Sequence, residues 1–399
     1  MINSPLSGVR VIELSHMIMG PSCGMILGDL GADVIKVEPI TGDNTRRLLG
    51  SGAGFFPCYN RNKRSIAVDL TTAEGLAVAG TLIDGADVLI ENFRCGALDE
   101  LGLGFAQVVG RNPKLIYCSF KGFLAGPYQH RAALDEVVQM MGGLAYMTGP
   151  PGRPLRAGAS VNDIMGGMFG VIAILAALHE RTRTGKGQHV KSALFENNAF
   201  LVAQHMMQFV VTGRPPSPMP DRLAVWGVYD IFNTREAEQL FIAVVTDRQW
   251  ISFCQAFELP ELAGDPTLAT NQQRVGARDR LVPTLQDVFV RLAKSEITET
   301  CDRAGIPFAP IARPEDLFAD PQLQQPGAML DVTLSDGRVA RTPALPLEFD
   351  GSRLGLRYDV PPVGAHSREI ATELGLERDE IERYFASGVL AGAPEEMAN

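Results

Sequence analysis

The stretch that most restricts this chain lies near its start. "VRVIEL" (9–14) is a short, largely apolar run carrying one arginine and one glutamate, the length and texture of a buried strand. A loop, "SHMIMGPSC" (15–23), follows. A helical segment then leads to "LGDLGA" (27–32) and to a second strand, "DVIKVE" (33–38). Strand, helix and strand within about thirty residues form a crossover unit, and such units build parallel sheets. The pattern recurs: "EGLAVAGTLIDGA" (74–86) has amphipathic helical spacing, and "DVLIENF" (87–93) and "KLIYCSFKGF" (114–123) read as strands. Residues 1 to 125 are therefore predicted to be doubly wound α/β with a Rossmann-like topology. No G-x-G-x-x-G follows the first strand, so a dinucleotide fingerprint is missing.

At 399 residues the chain exceeds one ordinary core, which predicts two domains. A long helix is expected over 164–183, ended by "RTRTGKGQ" with its cations and Gly185. "GRPPSPMP" (213–220) reads as a linker. Beyond it the texture changes to short strands, "GVYDIFN" (227–233) and "LFIAVVT" (240–246), followed by helices over 247–259 and 278–293. "DGRVARTPALPLEF" (336–349) begins a return segment, and 366–388 supplies two last helices. The expected divisions are a large Rossmann-like domain over 1–210, a small α+β domain over 225–325, and a C-terminal return over 330–399.

Charge and motifs exclude several functions. The formal net charge of −10 disfavours nucleic acid, whose binders show a basic face. The six cysteines form no C-x-x-C and the six histidines no H-x-x-x-H, so no metal site is expected. No G-x-S-x-G and no phosphate-binding P-loop occur. The start lacks the features of a signal peptide, and the longest apolar run, 164–178, is shorter than the roughly 20 residues of a membrane span. No membrane association and a cytoplasmic location are the expectations.

Three stretches carry candidate chemistry. In "RAGASVNDIMGGMFGVIAILAAL" (156–178) the one acidic side chain is Asp163, at the head of the apolar run. A helix cap and a nucleophile are both open readings, and Gly158, Gly166 and Gly167 would allow a substrate close approach. The loop 15–23 leaves the first strand where ligands bind in such sheets. "NRNKRS" (60–65) holds three cations, either a solvated surface or a clamp on phosphates.

Taken in order, "PLSGVRVIELS", "GPSCGMILGDLGADVIKVE", "GDNTRR", "NRNKRSIAVDL", "LIENFRCGALDELGL", "GASVNDIMGG", "AALHERTRTGKGQ" and "GIPFAPI" resemble the class III CoA-transferase family, the formyl-CoA transferase and CaiB–BaiF group. The resemblance implies that the N-terminal half and the C-terminal tail form one large domain, and that two chains interlock as a homodimer. It implies acyl-CoA and carboxylic acid substrates, with the CoA thioester as substrate and no further cofactor. Asp163 falls on the family's nucleophilic aspartate. His16, Met17, Ile18 and Met19 fall on the loop around CoA, Asn92 and Phe93 on a second CoA-binding turn, and Val68 near the adenine.

Several family cations are absent: Pro39, Thr71 and Glu100 stand in their places. Arg94, Arg131, Lys63 and Arg64 are the expected substitutes. The related racemases use a histidine where this chain has Leu134, which favours transfer over racemisation; a non-catalytic CoA-ester binder is the remaining alternative. Arg46, Arg47, Arg61, His130 and Arg131 suggest a dicarboxylic acid, with Arg47, His130 and Asp135 as substrate-binding candidates. Succinyl-CoA is the expected donor, and itaconate, mesaconate or citramalate the expected kind of acceptor. For Asp135 two roles are open: orienting the loop that faces Asp163, or capping the helix that begins there.

Overall fold

The structure is a computed structural model describing residues 4–222 and 224–392. The last residues of the expected C-terminal return, 393–399, lie outside the described part. The chain divides into two compact units: residues 1–220 together with 321–399, and residues 221–320.

The first unit is built on a seven-stranded sheet. Its early elements are β1 (Arg10–Leu14), α1 (Met19–Asp29), β2 (Asp33–Glu38), α2 (Phe55–Tyr59), β3 (Lys63–Val68), α3 (Ala73–Asp84) and β4 (Val88–Glu91). Two single-turn helices follow, α4 (Ala97–Glu100) and α5 (Phe105–Val108), and then β5 (Ile116–Lys121). Next come α6 (Asp135–Met141), α7 (Leu144–Thr148), α8 (Val161–Thr184), β6 (His189–Ala193) and α9 (Leu194–Thr212). β1 to β6 run parallel in the order β3-β2-β1-β4-β5-β6. The order reverses between β1 and β4, and an open α/β sheet binds ligands at that point, outside the carboxyl ends of the strands.

Both faces of the sheet are covered, which explains why β1 reads as a largely apolar run. Ile12 and Leu14 enter a core shared with α3 and the C-terminal helices; Val11 enters another shared with α1 and α8. The lone Glu13 of that run is fully buried between two lysines. Lys36 Nζ lies 3.2 Å from Glu13 Oε1 and 3.0 Å from Asp43 Oδ2, while Lys63 Nζ lies 2.8 Å from Glu13 Oε2. The two ammonium groups also donate to the Ser15 and Pro21 carbonyls, at 2.7 and 2.9 Å. They thereby hold both ends of the β1–α1 loop from below.

α8 lies along α1 because its glycines let the backbones close. A β-carbon on Gly167 would fall 2.1 Å from Ser22 Oγ and 2.9 Å from the Met19 carbonyl; one on Gly170 would fall 2.3 Å from the Phe120 ring. The helix is longer than the 164–178 run suggests, and by length and composition alone it would reach across a bilayer. Here its glycine face lies against the core of the first unit. Gly185, with φ of 70°, ends it at the expected place.

The tail contributes two short hairpins, β10 (Met329–Thr333) with β11 (Val339–Pro343) and β12 (Glu348–Phe349) with β13 (Ser352–Arg353). Then come α15 (Ser367–Glu373), α16 (Arg378–Ser387) and β14 (Leu390–Ala391). β14 pairs antiparallel with β3, matching Leu390 to Val68, and so covers an edge that would otherwise be open. Ser367 seals this join: its Oγ accepts from the Ala67 N–H at 3.1 Å and donates to the Ala391 carbonyl at 2.6 Å.

The second unit holds a three-stranded antiparallel sheet, β7 (Val228–Asn233), β8 (Gln239–Val244) and β9 (Phe308–Pro310). Five helices accompany it: α10 (Asp247–Ala256), α11 (Pro260–Gly264), α12 (Asn271–Gly276), α13 (Arg278–Phe289) and α14 (Lys294–Ala304). Its core joins Val228, Phe232 and Ile242 of the sheet to Trp250, Phe253, Leu285, Phe289 and Ile297 of the helices.

Candidate functional site

Two loops meet where the strand order reverses. After β1, the His16 N–H donates to Asn92 Oδ1 at 3.0 Å, and Asn92 Nδ2 donates back to the His16 carbonyl at 2.6 Å. The imidazole of His16 lies 5.8 Å from the Phe93 ring, and burial lowers its pKa against the opposing pull of Asp43. Met17 takes a left-handed conformation, φ 65°, which a non-glycine residue adopts only when its surroundings hold it there. Its side chain is exposed. Ile18 and Met19 turn inward instead, and Met19 packs beneath α8 at Gly166.

At the head of α8, Asp163 sits in the first turn and Ser160 holds the cap position, so the cap reading of Asp163 does not hold. Asp135 does the capping from another element. Its Oδ2 accepts the backbone N–H groups of Asn162 at 2.7 Å and of Asp163 at 3.1 Å. The α8 N-terminus thus receives a buried carboxylate, which its dipole favours. Asp135 is the first residue of α6, whose own cap position is Leu134; it does not cap the helix it begins. Gln139 fixes the carboxylate by donating to Oδ1, and its own amide oxygen accepts the Ala157 N–H at 2.8 Å.

These neighbours set the ionisation of Asp163. Burial, and then the like charge of Asp135, push its carboxyl up to about 7; Arg156 acts in the opposite direction. Tyr59 belongs to the same locality. Its hydroxyl is raised by burial, by Cys58 and by Asp163. A carboxyl raised towards neutrality beside a like-charged partner makes Asp163 the candidate reacting group of this region.

The other sequence candidates divide into two groups. Arg94, His130 and Arg131 lie on exposed turns that approach one another where Cys95 meets the Gln129 carbonyl at 3.6 Å. Arg94 pairs with Glu100, Arg131 lies over the Tyr128 ring, and His130 Nε2 is 3.0 Å from Gln129 Nε2. Arg47 is exposed and bonded to the Thr41 carbonyl and Asn44, both at 2.7 Å. No hydrogen bond or ion pair among the described residues joins Arg47, His130 or Arg131 to Asp163. Val68 has 1% of its surface exposed and packs into the core beneath β14, so its side chain has no surface to offer a ligand.

The cations of "NRNKRS" correct both readings of that stretch. It is neither a solvated surface nor a phosphate clamp. Lys63 and Arg64 belong to the buried strand β3, and Arg61 is buried just before it. Arg61 grips Asp29 at 2.6 Å, Lys63 meets Glu13, and Arg64 bonds Asp33 and Glu373 at the amino end of the sheet. Burial pulls the Lys63 ammonium down to about 8 although Glu13 opposes it. None of the three has a free charge for a ligand. Arg46 is likewise engaged, paired with Glu38 at 2.6 Å.

Tyr59, Gln139 and Arg156 were not singled out from the sequence. Arg156 stands seven residues before Asp163, so proximity alone could have flagged it; Tyr59 and Gln139 carry no local signal. Among the described residues no three His, Cys, Asp or Glu side chains are grouped to hold a metal ion.

The mixed α/β architecture with its parallel-rich sheet agrees with the comparisons. The chain matches the family described as CoA-transferase family III over residues 6–367, and it belongs to that family. It is an enzyme of the class III CoA-transferase type. It is 37% identical to the succinate–glutarate CoA-transferase of Agrobacterium fabrum, over 93% of this chain and 96% of that protein. It is 32% identical to the succinyl-CoA–D-citramalate CoA-transferase of Chloroflexus aurantiacus, over 97% and 98%. A crystal structure of a CaiB/BaiF family protein from Brucella suis superposes with a TM-score of 0.84 at 36% identity, covering 93% of this chain and all of that one.

Proposed function

We propose that this enzyme moves CoA from succinyl-CoA to a dicarboxylic acid, with Asp163 as the nucleophile. The observation that carries the reading is the placement of Asp163: half-buried in the first turn of α8, faced by Asp135 and raised to about 7. An Asp163 oxygen attacks the thioester carbonyl, the carbon–sulfur bond breaks, and an aspartyl–succinyl anhydride and CoA thiolate form. The thiolate then attacks the aspartyl carbonyl and succinate leaves, so an aspartyl-CoA thioester remains. An acceptor carboxylate reverses both steps. Each exchange replaces one hard transfer by acyl transfers between like groups, and needs no metal or redox cofactor.

CoA would lie across the switch point, with the main chain of 15–18 and of 92–93 along it and Arg94 and Arg131 at the outer end. Asp135 orients the first turn of α8, so the reacting carboxylate and the backbone N–H groups near it keep a fixed relation. The relatives acting on succinyl-CoA or succinate with glutarate or citramalate support the donor and a C5 dicarboxylate acceptor. Exposed Leu134 offers no base where a racemase would need one.

The proposal includes an interlocked homodimer, in which the first unit joins the N-terminal part and the C-terminal return into one domain. Its support is a wide apolar surface on two long helices. Met168, Ile172 and Leu175 of α8 and Phe200, Val210 and Val211 of α9 are all exposed in the single chain.

Intact-mass analysis tests the central claim. Incubation with succinyl-CoA should leave CoA attached to Asp163 as a hydroxylamine-sensitive thioester. Asp163→Asn should show no adduct, and CoA exchange should fall by on the order of 10³-fold. Undiminished exchange in that variant, with deamidation excluded, would refute the proposal.

A further inference from the structure

We infer that Arg156 binds the free carboxylate of the acid, and that it does so in both halves of the reaction. The inference rests on the dicarboxylate reading above and assigns the residue that would carry it.

Arg156 lies on the segment between α7 and α8. Its Nε donates to the neighbouring Ala157 carbonyl at 3.0 Å. Its terminal nitrogens approach two carboxylates only loosely, Glu136 at 3.6 Å and Asp135 at 3.9 Å, and neither makes a hydrogen bond among the described residues. Arg46, just past the carboxyl end of β2, behaves differently: it closes on Glu38 at 2.6 Å and is committed there.

Neither carboxylate near Arg156 requires it. Asp135 already has two backbone N–H groups on one oxygen and Gln139 on the other. Glu136 is exposed, and an exposed pair of that kind contributes little. What remains is a planar guanidinium with unused donors, about one-third exposed, whose charge acts on Asp163 and which lies 3.9 Å from the Asp135 that faces it. Such a fork matches a carboxylate in a bidentate way, which an ammonium group does not.

The chemistry makes one such fork serve twice. During turnover CoA keeps its place while the two acids occupy the acyl side in succession. The free carboxylate of the succinyl group and that of the incoming acid therefore reach the same position. When the acceptor arrives Asp163 is thioesterified and uncharged, so it neither competes for Arg156 nor repels the incoming carboxylate.

The test compares acids with and without the second carboxylate: succinyl-CoA against butyryl-CoA as donor, and glutarate against pentanoate as acceptor. In Arg156→Gln both selectivity ratios in kcat/KM should fall on the order of 10²-fold, mainly through KM. Arg156→Lys should recover part of the preference, and added methylguanidinium should restore part of it to the glutamine variant. Formation of the Asp163 adduct from butyryl-CoA shows that the variant is folded. Equal losses for the acids with and without the second carboxylate, or retained selectivity, would overturn the assignment. A wild-type enzyme that forms the adduct yet does not prefer succinyl-CoA would remove the dicarboxylate reading itself, and Arg156 with it.

Discussion

At the scale of single residues, the site turns on two carboxylates with different duties. Asp135 spends both oxygens on hydrogen bonds, whereas the Asp163 carboxylate has none among the described residues and is raised towards neutrality. In the proposed mechanism only the ionised form of Asp163 can attack a carbonyl. The rate of adduct formation at low acyl-CoA concentration should therefore be level above pH 8 and fall about tenfold per pH unit below about 7. Asp135→Asn removes the like charge but can still accept N–H bonds through its amide oxygen. The acid limb should then move to lower pH, though not to that of a free carboxylate, because burial persists. A stopped-flow pH profile of both proteins checks the direction. A limb that stays in place would mean that burial alone raises Asp163.

At the scale of elements, the contact of α8 with α1 decides where Asp163 stands. Their close approach depends on positions where no side chain fits. Gly167→Val would drive a β-branched group into Ser22 and the Met19 backbone, and α1 would have to move, carrying the His16–Met17 loop with it. Overpacking of that kind costs about 1–3 kcal/mol, occasionally more. The apparent melting temperature should drop by roughly 1–4 °C in differential scanning fluorimetry. Adduct formation should slow by more than the folded fraction accounts for, since two site elements shift together. A variant as stable and as active as the parent would show that the two helices have room to part.

For the whole molecule, the prominent feature is the apolar surface of α8 and α9. A helix exposed along one apolar side is unusual in a chain that functions alone. Phe200→Glu combined with Val210→Lys should weaken the proposed homodimer, read by light scattering as a shift to monomer at micromolar concentration. The double variant should also lose activity if the interlocked arrangement holds the site in shape. An unaltered mass would place the interface elsewhere.

Periodicity and length were enough to recover β1, β2, β4, β5, the long helix and its end at Gly185, because each depends on residues adjacent in the chain. The same local logic misread 60–65. Three cations within four residues suggest a surface, yet each finds a carboxylate, Asp29, Glu13 or Asp33, supplied by elements at least twenty residues away in the chain. Asp163 stood out through its isolation at the head of an apolar run, and the family motifs gave it a role. What only the tertiary structure decided was its company. Asp135, Gln139, Arg156 and Tyr59 come to it from α6, α2 and the segment before α8, and their effect on its charge depends on distance and burial. Those quantities are set by how the helices close on one another, and no stretch of neighbouring residues contains them.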